Sequence, residues 1–377
     1  MIALIWQNNW SALGCRLAGQ LVAAGYEVSV FVRNGRQGSL KGNVKPSSKG
    51  SVKSGAKDAI GLPPEVIEAK SQISAIKKAE VVLTLLNTPQ EVEDVYLGND
   101  GILEHARQSS LFIDLSTSNP RLAKELYALA AVHDHSFVEA PIEGNPDMLE
   151  TGDFRVYAAG EPDNIKRALP ILHALTPHVL EVGLPGNGSS LKLASQIALA
   201  NTLMGVVEAV TFLQIAGMES NQILRALDTS PTASVVAQAF GKKIIDEEFY
   251  YGVDLQQLFF DLTAALDAAD EFGLALPGLE TAHQLYDLLV LVGGAKKGIH
   301  ALALIYYDEE RCVKHGLNWE LAQQAMDVYE RANEGAYDDY DYDDDDCDDC
   351  DDPSCGHHSH HHYDEGPPTM NGFFSTN

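Results

Sequence analysis

The sequence predicts an α/β domain with a doubly wound parallel sheet, then an all-α domain and a disordered acidic tail. Three observations predict it. Up to about residue 185, continuous apolar runs such as AEVVLTLL and SLFIDLS alternate with helically spaced segments such as RLAKELYALAAVH. Runs without polar alternation suit parallel strands covered on both faces. From residue 188 the chain reads as helix throughout, and after about residue 335 it is too polar to bury a core. The expected organisation is therefore 1–185, 186–335 and 336–377.

Residues 2–31 read strand, helix, strand. Residues 34–58 are rich in Gly, Ser and Lys with no hydrophobic period, and read as an exposed basic loop. AEVVLTLL and SLFIDLS are the next strands, with VEDVYLG and RLAKELYALAAVH as helices; FVEAPIEG, FRVYAAG and VLEVG continue the β/α pattern. SSLKLASQIALANTLMGVVEAVTFLQIAG, apolar nearly all round, predicts a helix buried in a helical domain. NQILRALD, SVVAQAFGKKIID, LQQLFFDLTAALDAADEFG, GLETAHQLYDLLVLV, HALALIYYDEERCV and WELAQQAMDVYERAN follow as further helices.

With 377 residues, 45% of them hydrophobic, the chain can bury a large core. The net charge of −28 argues against nucleic acid as a partner, because phosphate contacts need clustered Lys and Arg. Eleven aspartates lie between Asp338 and Asp352, so the body is only moderately acidic. No secretory segment and no bilayer-spanning run is expected, and two isolated body cysteines, Cys15 and Cys312, suit a reducing, cytoplasmic setting.

The stretch IWQNNWSALG ends the first strand where a dinucleotide-binding turn would carry G-x-G-x-x-G. Two registers are open. Either Trp6, Asn8 and Ser11 take the glycine positions, or the turn is three residues longer and Asn9, Ser11 and Gly14 take them. The second is preferred, because Gly14 can then allow close helix–strand packing. Asn tolerates positive φ and Ser can hydrogen-bond a phosphate. After the second strand, Arg33, Asn34 and Arg36 stand where an adenosine 2′-phosphate would lie, with no acidic residue for a ribose diol. The arginines favour NADP over NAD; equally, they could simply belong to the basic loop.

Several collinear segments resemble the β-hydroxyacid dehydrogenases, the group of 3-hydroxyisobutyrate and 6-phosphogluconate dehydrogenases, over roughly residues 1–305. They are AGYEVSVFVRN, LLNTPQEVEDVYLGNDGIL, DLSTSNP, FVEAPIEGNPDMLETGDFRVYAAG, VGLPGNGSSLKLASQ and FFDLTAALDAADEFGLALP. The resemblance implies a Rossmann-like domain, a long central helix and a helical bundle, with NAD or NADP as cofactor and a homodimer across the long helix. It places Lys192 on the catalytic lysine, after Gly186 and Gly188, and Gln196 on that lysine's asparagine partner. It puts Asn87 and Thr88 beside the cofactor, and Ser116 and Thr117 in the D-x-S-T segment that meets the substrate. The substrate loop, serine and two glycines in the family, reads Glu143, Gly144, Asn145. A further substrate-side lysine is replaced by Phe260, while Asp261 after it is kept. A carboxylate at 143 would repel an anionic substrate. The implied substrate is a small neutral or cationic carbonyl or imine compound and not an ordinary 3-hydroxy acid.

The tail sets Cys347, Cys350 and Cys355 beside His357, His358, His360, His361 and His362. Sulfur and imidazole suit Zn²⁺, Ni²⁺ or Cu, and the aspartates would gather cations. A solvated charge run and a purification tag are the alternatives, and loose multi-ion capture is the expectation. Two functions compete: an NADP-dependent oxidoreductase, and a non-catalytic member of the family serving as a scaffold or in metal delivery through the tail.

Overall fold

The computed structural model describes residues 1–8, 11–34, 61–229, 233–250, 252 and 254–333; the side chains of residues 11, 146, 147, 150 and 328–333 are outside that description. The expected basic loop beyond residue 34 and the Cys/His-rich tail fall outside the described residues. The described residues up to 325 form one compact unit.

This unit opens with β1 (Ile2–Gln7), α1 (Ser11–Ala23) and β2 (Val28–Arg33), and β1 is buried along its whole length. β3 (Ile67–Glu68), α2 (Gln72–Ile76), β4 (Val81–Leu85), α3 (Pro89–Leu97), α4 (Ile102–His105), β5 (Leu111–Asp114), α5 (Pro120–Val132) and β6 (Ser136–Glu139) follow. These six strands pair parallel in the order β3-β2-β1-β4-β5-β6. The chain winds outward from β1 through β2 to β3, then returns to add β4 on the other side. A crevice therefore opens at the carboxyl ends of β1 and β4, where open α/β sheets bind ligands. Ile2, Leu4 and Trp6 pack on one face of the sheet, and Ala3 and Ile5 on the other. This two-sided burial is what the unbroken apolar runs demand.

Beyond β6 the sheet departs from the parallel pattern. β7 (Ile142–Glu143) and α6 (Pro146–Thr151) lead into β8 (Arg155–Gly160), which runs antiparallel to β6 and β7. β8 follows β7 through a connection that carries the six-residue α6 and turns back beside it, so the two pair antiparallel. After α7 (Pro162–Leu175), β9 (His178–Gly183) adds parallel to β8.

α8 (Asn187–Ile215) is 29 residues long. The sequence reading expected no bilayer-spanning run, yet α8 is long and apolar enough to cross a membrane by length and composition. It is the central helix of the second core: Leu193, Ala200, Leu203, Val207 and Val210 are buried against the helices that follow. These are α9 (Ser220–Thr229), α10 (Val235–Ile245), α11 (Leu255–Glu271) and α12 (Pro277–Leu289). A π turn at Val290–Gly294 and a 3₁₀ helix at Ile299–Tyr306 precede α13 (Glu309–Lys314) and α14 (Glu320–Asn333). The single helix expected over HALALIYYDEERCV is thus two. Asp308 takes an extended conformation and its side chain accepts from the Arg311 amide, which starts a new helix.

Candidate active site

Lys192 is placed by what happens at the start of α8. Gly186 has φ 94°, open to glycine at little cost. A Cβ on Gly188 would lie 2.7 Å from the Tyr157 carbonyl oxygen. Glu139, buried at the end of β6, accepts from the amides of Gly186 (2.5 Å), Gly188 (3.0 Å) and Ser189 (3.1 Å) and from the Ser189 hydroxyl (2.5 Å). It satisfies the orphan donors of the first turn from outside the helix. Burial raises the Glu139 carboxyl pKa, while these four bonds pull it down. The glycines before Lys192 are therefore an anchoring device, and Lys192 follows one turn later.

Lys192 and Gln196 are buried and line one cavity of about 280 Å³ together with Thr117, Glu143, Gly144, Asn145 and Asp261. The Lys192 Nζ lies 3.8 Å from Asp261 Oδ2. Asp261 also accepts from Gln257 Nε2 at 3.0 Å and from the Thr117 side chain. Burial raises its pKa, opposed by Lys192, Gln257 and Thr117. Glu143 is fixed by two hydroxyls, Ser195 donating to Oε1 and Tyr157 to Oε2. Gly144 is packed so closely that a Cβ would meet Phe154 Cβ at 3.0 Å, and Asn145 caps α6 by accepting from the Met148 amide.

Two substrate-side expectations do not reach this cavity. Ser116 is buried in a structural network, donating to Asp114 Oδ1 at 2.6 Å and accepting from the Leu86 amide. Phe260 does not line the cavity; on α11 the lining residues are Gln257, Leu258 and Asp261, and residue 260 is turned about 100° from Asp261.

At the dinucleotide crevice, Ser11 is the first residue of α1, and Asn9 and Arg36 lie outside the described residues. Gly14 packs on the ring of Trp6 so tightly that a Cβ would stand 2.5 Å from Cδ2, which is the close helix–strand approach expected of it. Arg33 donates to Gln72 Oε1 (3.1 Å) and, with Asn34, lines a second cleft at the end of β2 that also holds Asp94 and Asp100. Thr88 caps α3, and Asn87 donates through its backbone to Glu91 Oε2 at 2.9 Å. Glu91 Oε1 accepts from Gln7 Nε2 at 3.1 Å. Gln257 Nε2 reaches the Asn87 carbonyl at 3.2 Å and so ties α11 to the β4 loop. Among the described residues, the Oε1 atoms of Gln7 and Gln257 are buried without a partner. Two orphan acceptors beside a crevice lined by Leu13, Leu85, Leu86 and Leu115 fit the amide and hydroxyl donors of a nicotinamide riboside.

Glu139, Arg155, Tyr157 and Gln257 were not singled out from the sequence. An acid inside the apolar run FVEAPI was a readable signal for Glu139. The others needed the pairing of β7 with β8 and the packing of α11. Among the described residues no group of three or more His, Cys, Asp or Glu could hold a metal ion. The Cys347, Cys350, Cys355 and histidine cluster lies outside them.

A sheet with its crevice at the β1/β4 switch point, followed by a helix that carries a buried lysine into the cleft, defines the class of two-domain nicotinamide-dependent oxidoreductase folds. Residues 11–183 match the NAD-binding domain of 6-phosphogluconate dehydrogenase, and residues 186–306 the NAD-binding domain of NADP-dependent 3-hydroxyisobutyrate dehydrogenase. The chain is 30% identical over 293 residues to a probable 3-hydroxyisobutyrate dehydrogenase-like protein, mitochondrial, of Arabidopsis thaliana, covering 78% of this chain and 81% of that one. It is 25% identical over 249 residues to the mitochondrial 3-hydroxyisobutyrate dehydrogenase of Mus musculus, covering 64% and 74%. The structure of Mycobacterium tuberculosis 3-hydroxyisobutyrate dehydrogenase with L-serine superposes with a TM-score of 0.67 at 22% identity, covering 80% of this chain and 98% of that one. The chain belongs to the β-hydroxyacid dehydrogenase family.

Proposed function

We propose that this chain is an NADPH-preferring reductase or dehydrogenase acting on a small carbonyl or imine compound that is not an ordinary 3-hydroxy acid. The observation that carries this is the buried Lys192–Asp261 pair on the wall of an otherwise largely apolar cavity that reaches the β1/β4 crevice. A bound nicotinamide supplies or takes the hydride. Lys192 holds the proton that goes to the reacting oxygen or nitrogen, and its neighbour Asp261 keeps the ammonium in place. Gln196, one turn on, offers an amide from the same helical face. The apolar walls exclude water from the reacting atoms. Gln7, Asn87 and Gln257 would hold the nicotinamide half, and Arg33, which makes no ion pair among the described residues, the adenosine half.

Titrating the protein with NADPH, NADP⁺, NADH and NAD⁺ tests the reading, with tryptophan fluorescence as the signal because Trp6 packs under Gly14. NADPH is expected to bind more tightly than NADH. An Arg33→Gln variant is expected to weaken NADPH by about tenfold, the loss of one charge-assisted contact, and leave NADH unchanged. No response to any of the four nucleotides sinks the reading.

The same reading includes a homodimer across α8. Phe212 and Ile215 are 72% and 81% exposed on that helix, an apolar surface that a second copy would cover. Sedimentation is expected to give a dimer at micromolar concentration; a monomer there counts against it.

A further inference from the structure

Glu143 and Arg155 face each other across the β7–β8 ladder, so both side chains stand on the same side of the sheet. Both line the cavity that holds Lys192. Opposite charges in directly facing positions usually pair. Here they do not: no ion pair within 4.0 Å joins them, and Arg155 has no carboxylate partner among the described residues. The reason is visible in what holds Glu143. Ser195, on α8 between Lys192 and Gln196, and Tyr157, two residues beyond Arg155 on β8, each donate a hydroxyl to one carboxylate oxygen. Two neutral donors thus occupy one oxygen each of the carboxylate, and neither oxygen comes within ion-pair distance of the guanidinium. The remaining charged pair in the cavity, Lys192 and Asp261, balances itself. The cavity is therefore left with one separated negative and one separated positive group on a single wall.

We infer that Glu143 and Arg155 form a split-charge subsite that selects a zwitterionic substrate. A basic nitrogen sits on Glu143 and an anionic oxyacid group sits on Arg155, which holds the reacting carbon toward Lys192. This rests on the oxidoreductase reading and narrows its substrate class. It also accounts for Glu143, which would repel a simple acid, without requiring that the site reject anions: the anion seat lies on the facing strand. Charge-assisted contacts of this kind each contribute about tenfold or more in affinity when partly desolvated.

The test separates the two charges. Calorimetry on the full chain, with no turnover required, compares L-threonine with its deaminated counterpart 3-hydroxybutanoate and its decarboxylated counterpart 1-aminopropan-2-ol. L-threonine is expected to bind about tenfold more tightly than either, the increment of one charged contact. Glu143→Gln should bring threonine down to the level of 3-hydroxybutanoate and leave 3-hydroxybutanoate unchanged or tighter. Arg155→Gln should bring threonine down to the level of 1-aminopropan-2-ol and leave that amine unchanged. Equal binding of threonine and 3-hydroxybutanoate, insensitivity of the carboxylate ligands to Arg155→Gln, or failure of all three ligands to bind at millimolar concentration overturns the inference. A protein that binds nucleotides but shows no such charge dependence keeps the oxidoreductase reading and loses this one; a protein that binds no nucleotide loses that reading on its own evidence.

Discussion

A Lys192→Met variant is expected to lose about 10²–10⁴-fold in kcat on any carbonyl or imine compound the native protein reduces, with NADPH affinity unchanged. Methionine fills nearly the same buried volume and keeps the stem of the side chain, so the variant removes the ammonium rather than the packing. The consequence for Asp261 has a definite sign. Burial raises its pKa and Lys192 lowers it. With the amine gone, the carboxyl moves further up and takes a proton more readily, which lessens the charge left without a partner. The readout is therefore split by design: single-turnover reduction collapses while the fluorescence titration with NADPH keeps its midpoint. Retention of kcat within a fewfold would mean that another group delivers the proton, and the reading of this cleft would fail.

The sequence carried the α/β half well because its signals are redundant. Unbroken apolar strands, turn glycines and helical spacing all point to the same two-faced sheet, and β1 is buried throughout as its run IALIW demands. Gly14 was legible because a glycine three residues into a helix after a strand has one common use, and Trp6 occupies the space its missing Cβ leaves. The antiparallel return of β8 was less legible, since a short strand reads the same in either direction. The candidate site divides along the same line. Lys192, Gln196, Thr117 and Asp261 come from local motifs and meet in the cavity. Ser116 and Phe260 belong to the same motifs, but one is committed to Asp114 and Leu86 and the other sits on the wrong side of α11. Arg155 and Gln257 become part of the site only through a cross-strand register and a long-range bond to the Asn87 carbonyl, neither of which has a sequence signature.

Removing Glu139 should have the largest effect on stability, and its action reaches the chemistry. Its carboxylate accepts four hydrogen bonds at the start of α8, three of them from backbone amides with no partner inside the helix. Glu139→Ala leaves those donors buried and unpaired, and is expected to cost about 3 kcal/mol, visible as a fall of about 5–10 °C in Tm. Glu139→Gln is the more telling variant. It keeps the shape, but an amide NH₂ on the Oε2 side now faces the Ser189 backbone N–H, a donor against a donor, while the Ser189 hydroxyl can turn to accept, so at least one backbone amide at the start of α8 loses its acceptor. Lys192 sits one turn beyond these contacts on the helix they anchor, so kcat should drop in the glutamine variant even at temperatures where it is fully folded. A control, Glu181→Gln on exposed β9, should change neither quantity. If Glu139→Gln kept wild-type Tm and kcat, the α8 start would be held by its glycines and packing alone, and Glu139 would have no part in placing the lysine.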